Sequence, residues 1–235
     1  MNRGIKQFIY GVIYLTIITL VVWFVFQGLR PEQPVVDENK KEKEIYLSAR
    51  VVKEPKFFQL ASGESSFLVK VKNPNVGRSI SFLYRFAVFN NQNEEFGEVV
   101  GDDNLSSDAE EYITNIGNFE ETIRNVEFEV FDETYNRVPE SLKDNAIVKD
   151  IKTMIKDNKA TVFGLLENKS LLSLPKIKII AVLTDKFGFQ LYAGQTILTN
   201  ISSFGSREFE IFIPIDEKIR KSINTTSTQV FVNVE

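Results

Sequence analysis

Histidine and cysteine, which carry most enzymatic and transition-metal chemistry, are both missing from this 235-residue chain. A nucleophile–His–acid triad cannot be assembled, and neither can a Cys/His zinc site. No disulfide can brace the fold. Carboxylates remain, concentrated at Glu94, Glu95, Glu98, Asp102, Asp103, Asp108, Glu110 and Glu111. Two acids about 5–9.5 Å apart suffice for glycoside hydrolysis. All of these, however, fall in or beside predicted turns, where exposed acids keep strand edges from pairing with other chains. The expectation is a chain without catalytic residues, in which Glu94, Glu95, Glu98, Asp102 and Asp103 form a partner face. Gly101-Asp102-Asp103-Asn104 could suggest calcium, yet the spacing of an EF-hand loop is absent. No metal and no cofactor are expected. Asn104, Asn168, Asn200 and Asn224 begin Asn-x-Ser/Thr triplets, which matter only in a eukaryotic secretory route. The missing cysteines argue against that route.

Charge sharpens the partner expectation. Residues 45–142 carry 9 Lys/Arg and 17 Asp/Glu, a net of −8, whereas residues 143–235 carry 13 and 10, a net of +3. No basic domain able to track a phosphate backbone exists, so nucleic acid is excluded as the expected partner. An acidic region of this kind suits a basic protein of the cell envelope, through a long-range, salt-screened attraction.

The elements that position these residues begin with an anchor. Gln7 to Leu29 carries no charge and is bracketed by Lys6 and Arg30. As a helix it is about 35 Å long, enough to cross a hydrocarbon core of about 30 Å. A cleaved signal peptide would have a shorter apolar run ending in small residues, whereas this one ends Trp23-Phe24-Val25-Phe26. Residues 1–6 are then a cytoplasmic tail and 7–29 a transmembrane helix, flanked by Arg3, Lys6, Trp23 and Arg30. The Lys/Arg count is slightly higher beyond the helix, at Arg30, Lys40, Lys41 and Lys43. Those lysines are interleaved with Glu38, Glu42 and Glu44 and precede a long domain, for which the positive-inside rule weakens. The expected orientation is N-terminus inside and domains outside the cell membrane. Residues 30–44, with two prolines and a mixed-charge run, read as a flexible stalk.

From Ile45 the hydrophobic period becomes two. Phe67, Val69 and Val71 alternate with Leu68, Lys70 and Lys72; Ile80 to Val88 and Val126 to Val130 alternate likewise. Half-buried strands separated by turn clusters such as Asn73-Pro74-Asn75 predict an all-β sandwich. The pattern then recurs. Phe67 to Asn73 aligns with Val162 to Asn168, Ala87 to Asn91 with Ala181 to Asp185, and Leu105-Ser106-Ser107 with Ile201-Ser202-Ser203. Two tandem domains follow, 45–142 and 143–235, with the boundary near Pro139-Glu140-Ser141. Ala87 and Ala181 are expected at one structural position, Asn73 and Asn168 in equivalent turns, and a short helical turn is possible within 215–225.

At Lys72-Asn73-Pro74-Asn75, with the long apolar strand after it, the first copy resembles type 2 late-embryogenesis-abundant domains. The second, with Glu167-Asn168-Lys169-Ser170 and Ile179 to Asp185 ahead of Gly188, resembles FxLYD-type domains, though Ala181-Val182-Leu183-Thr184-Asp185 lacks their Phe and Tyr. Together with the anchor, the chain resembles uncharacterised single-pass bacterial envelope proteins. The resemblance implies immunoglobulin-like sandwiches and no active site. The expected function is a membrane-anchored scaffold or binding module. A carboxylate-based hydrolase of envelope polysaccharide and an accessory subunit of a secretion or pilus assembly are the alternatives.

Overall fold

In the computed structural model, the described residues are 3–28, 46–137 and 145–234. The predicted stalk 30–44, the boundary at Pro139–Ser141 and Arg30 lie outside them. The chain forms two compact units, Met1–Ile45 and Tyr46–Glu235.

Helix α1 covers Arg3–Gly28. Within it, Thr16 and Thr19 donate their hydroxyls to the carbonyls of Val12 and Leu15, each 2.8 Å away, so neither hydroxyl is left open in an otherwise apolar run. Among the described residues no helix is long and apolar enough to cross a membrane.

The second unit is all-β apart from one helical turn. Its first half contains β1 (Arg50–Gln59), β2 (Ser65–Lys72), β3 (Arg78–Phe89), β4 (Glu95–Leu105), β5 (Glu110–Gly117) and β6 (Asn125–Arg137). Its second half contains β7 (Ala146–Lys156), β8 (Lys159–Asn168), β9 (Leu174–Thr184), β10 (Gln190–Ile201), β11 (Ser206–Pro214), α2 (Glu217–Arg220) and β12 (Gln229–Val234). Each half makes two antiparallel three-stranded sheets: β1-β2-β5 and β4-β3-β6 in the first, β11-β8-β7 and β10-β9-β12 in the second. Phe67, Val69 and Ile113 from one sheet share a core with Phe82, Tyr84 and Phe86 from the other. Val162, Phe209 and Ile211 share another with Ile177, Ile179 and Leu183.

The repeat is visible bond by bond. Asn73 donates through Nδ2 to the carbonyls of Arg78, Leu105 and Ser106, and accepts from the N–H of Asn75. Asn168 donates to the carbonyls of Leu172, Ile201 and Ser202, and accepts from the N–H of Ser170. An amide is needed at each position because a buried turn leaves several carbonyls that one side chain must satisfy together. Equally, the hairpins β3–β4 and β9–β10 turn identically. Asn90 Oδ1 accepts from the N–H groups of Gln92 and Glu94, and Asp185 Oδ1 from those of Phe187 and Phe189.

That turn corrects the alignment by one residue. Phe89 pairs with Glu95 and Thr184 with Gln190, each beside a register step that bulges one residue of the returning strand. Phe86 therefore matches Ala181, and Ala87 matches Val182. Phe86 and Ala181 face their cores, while Val182 points to the other side of its sheet. Two short apolar runs can be aligned in either register, and only the hairpin bonds distinguish them.

A second correction concerns burial. Leu68, expected on a solvated face, is buried, and β9 is buried on both sides from Ile177 to Thr184. Leu68 and Tyr112 pack against Ile180, Val182 and Ala193 in a third cluster that joins the two halves. The outer face of β1-β2-β5 thus lies on the outer face of β10-β9-β12, so β9 reads as an unbroken apolar run from Ile179 to Leu183 for the reason that doubly covered strands do. Phe58 and Leu60, from the β1–β2 hairpin, belong to the core of the second half. The helical turn near 215–225 is present as α2, started by Asp216, whose side chain accepts from the N–H of Lys218.

Candidate partner face

The outer face of β4-β3-β6 has no such cover within the described residues. Across its centre Leu83 pairs with Phe131 on β6 and with Asp102 on β4, while Arg85 pairs with Val100 and Glu129. Leu83, Val100 and Phe131 are 37%, 51% and 37% exposed, which makes an apolar patch on an otherwise charged sheet. Asp132 adopts a left-handed backbone, φ 52°, where the register of β6 against β3 shifts between Ser81 and Leu83. A short polar residue tolerates that conformation, and the extra residue bends the strand. A depression of about 340 Å³ results, lined by Leu83, Asp102, Asn104, Asp132 and Thr134 among others.

Arg85 organises the charges. Its Nε donates to Glu129 at 2.7 Å, and Nη1 reaches Glu98 at 3.2 Å and Glu95 at 3.3 Å. The hydrogen bond to Glu129, then that to Glu98, pushes the guanidinium above its already high ordinary value, so it stays charged at any accessible pH. Three carboxylates are held in fixed positions around one cation on an open face. Such an arrangement offers directional acceptors to a partner together with an apolar centre that gains from being covered.

The sequence-predicted acids divide. Glu94 sits exposed in the β3–β4 turn, Glu95 and Glu98 lie on the open face beside Arg85, and Asp102 lies there opposite Leu83. Asp103 does not join them. Neighbouring residues of a strand point to opposite sides, and Asp103 turns inward, buried, to the ammonium of Lys178 at 2.6 Å. Asp108 occupies a left-handed turn position near Lys72. Glu110 binds Lys70 at 2.7 Å, whose hydrogen bond holds that carboxyl below the usual range. Glu111 is buried. Asp102 and Asp103 both line the depression of about 340 Å³, with Asp103 committed to Lys178. Among the described residues, no group of three His, Cys, Asp or Glu side chains could hold a metal ion. In α1, Trp23 is exposed and edge-on to Phe24, whereas the side chains of Arg3 and Lys6 lie outside the described set.

Sequence reasoning missed Leu83, Arg85, Val100 and Phe131. A signal existed in Leu83, an apolar residue on the side of β3 shared with Ser81 and Arg85. Lys178 had one too, as a charge set between Ile177 and Ile179 in a largely apolar strand.

No family model matches the chain, and no curated protein matches it. Among solved structures it is similar to red sea bream transglutaminase at 13% identity and a TM-score of 0.27. That match covers 73% of this chain and 28% of the other. It is also similar to the N-terminal CBM22-1–CBM22-2 tandem domain of Paenibacillus barcinonensis Xyn10C, at 8% identity and a TM-score of 0.17, covering 80% and 86% of the two chains. Likenesses this slight carry no argument about fold or function.

Proposed function

We propose that the chain is a non-catalytic protein of the bacterial envelope, anchored through Gln7–Leu29 with its N-terminus in the cytoplasm. It displays two immunoglobulin-like sandwiches, residues 45–142 and 143–235, as a binding module or scaffold. The observation that carries the binding reading is the open sheet face on which Leu83, Val100 and Phe131 are ringed by Glu95, Glu98, Asp102 and Glu129, with Arg85 fixing three of the acids. These apolar side chains remain partly uncovered in the folded chain, and fixed acids around them favour a basic, partly apolar protein surface. An open face suits binding better than polysaccharide hydrolysis, which needs an enclosing cleft with two acids.

A photoreactive side chain at Val100 of the full-length protein in native membranes tests this reading. Crosslinked adducts are expected from Val100, weaker at high salt, and absent from a probe at Lys186 in the β9–β10 turn. Adducts of equal yield from both positions would defeat it.

A further inference from the structure

The open face has a covered twin in the same chain. With Phe86 matched to Ala181, sheet β4-β3-β6 corresponds to β10-β9-β12, and Arg85 and Ala87 correspond to Ile180 and Val182. In the second half that face is covered by β1-β2-β5. In the first half no described residue covers it. The counterpart of the covering sheet is β11-β8-β7, whose outer face also carries exposed apolar residues, among them Met154 and Phe212. Each chain therefore presents one unused copy of either side of an interface it already makes internally.

We infer that these two faces bind each other between copies of the chain, β11-β8-β7 of one copy on β4-β3-β6 of the next. The inference rests on the partner-face reading and names the partner. Transferring the internal contacts gives it particular residues. Lys56 pairs with Leu68 across β1–β2, and Lys152 with Phe163 across β7–β8, with Asn73 and Asn168 each following in the same place. Lys56 Nζ donates to Gln190 Oε1 at 3.1 Å in the internal interface. Gln190 is matched by Glu95, because the two occupy the same pair beside the bulge. The equivalent contact between copies is Lys152 on Glu95, an ion pair where the internal one has a neutral amide. Ser66 Oγ donates to the carbonyl of Ala193 at 2.8 Å. Its counterpart is the hydroxyl of Thr161 on the carbonyl of Glu98. Leu68, seated on Ile180, Val182 and Ala193, is replaced by the larger Phe163 over Arg85 and Ala87.

Two contacts are weaker. Glu210, which pairs with Phe163 as Thr114 pairs with Leu68, brings a carboxylate to a place that is buried internally. Tyr112 packs against Phe231 internally, the rings tilted by 47° with centroids 4.4 Å apart, and the matching residues Glu208 and Glu129 are both acidic. Arg85, already bonded to Glu129, is the cation between them. The association is thus looser than the internal one, and suits copies concentrated in one membrane. It is head-to-tail, since each copy uses a different face, and a dimer leaves one of each face open.

The absence of cysteine makes the test direct. Full-length Lys152→Cys and Glu95→Cys proteins are prepared separately in mild detergent, mixed, and treated with a short bismaleimide. Lys56→Cys/Gln190→Cys within one chain serves as the internal control and should close intramolecularly. Dimer is expected from the mixture and lost from either protein alone. Dimer from each protein alone at the same yield, or none from the mixture while the internal control closes, overturns the inference. If Val100 adducts to a different protein persist in the latter case, the partner-face reading survives and only the identity of the partner falls.

Discussion

Asp103 and Lys178, 75 residues apart in sequence, meet at 2.6 Å with 0% and 6% of their side chains exposed. The pair joins the two halves of the second unit beside the apolar contact of Leu68 and Tyr112 with Ile180 and Val182. Removing one member of a buried pair leaves the other charge desolvated without its counterion, at a cost of roughly 3–5 kcal/mol. Asp103→Ala should lower the unfolding free energy from urea titration by that order. Asp103→Leu combined with Lys178→Met should recover much of the loss, because the apolar pair needs no counter-charge. A double variant no more stable than the single one would contradict this account.

The amide turns offer a matched pair of substitutions. Asn168→Ala leaves the carbonyl of Ser202 and the N–H of Ser170 without their side-chain partner, whereas the carbonyl of Leu172 keeps the Ser170 hydroxyl. Each buried group so stranded costs about 1–3 kcal/mol. Asn73→Ala should cost a similar amount, since its bonds are the same in kind. Asn168→Asp should not restore the turn at 168, because its three carbonyls need a donor. Thermal unfolding of the three variants decides it.

Acid stability follows from two lysine-bound carboxylates. The hydrogen bond from Lys149, then that from Lys169, holds the Glu167 carboxyl below its ordinary range, and Lys70 does the same for Glu110. The folded chain therefore binds these protons less tightly than the unfolded one. Their contribution is present above the unfolded carboxyl value of about 4.3 and is lost as pH falls through the lower folded value. Glu167→Gln should make the urea midpoint fall less steeply between about pH 5 and pH 3. Both groups are solvent-accessible, so the change in slope should be modest and shrink with added salt.

Phe204 should be replaceable with a gain. It holds a left-handed backbone, φ 54°, and its ring is 66% exposed. The same turn in the first half has Asp108 at φ 50°. Phe204→Asn should stabilise the chain by about 0.5–1 kcal/mol, since Asn enters that conformation more readily than a bulky residue does. A lowered melting temperature would show that the ring contributes packing.

Much of the β architecture was legible because alternation and turn chemistry are local. Phe67, Val69 and Val71 announced a core face, and Asn73 and Asn168 announced equivalent turns. Alternation says which residues share a side, but not whether another sheet lies beyond it. Leu68, which alternation puts on a solvated face, is therefore buried, and nothing local in the sequence says that β9 is covered on both sides. Asp102 and Asp103 were grouped by adjacency, although a period of two separates neighbours. The open patch was hidden for a related reason: Leu83, Val100 and Phe131 come from three strands, and only the pairing register brings them together.

The placement of Leu60 has a bearing on how the protein is made. This side chain leaves the β1–β2 hairpin and is buried, 4% exposed, in the core formed by β7 to β12. Translation delivers the first half while that core does not yet exist. The nascent chain must hold Leu60 and Phe58 uncovered until more than a hundred further residues have emerged, roughly ten seconds or more at ordinary elongation rates. During that interval the earlier half is sticky at one corner, and the later half, once out of the ribosome, closes its own interior only by accepting a residue from its predecessor.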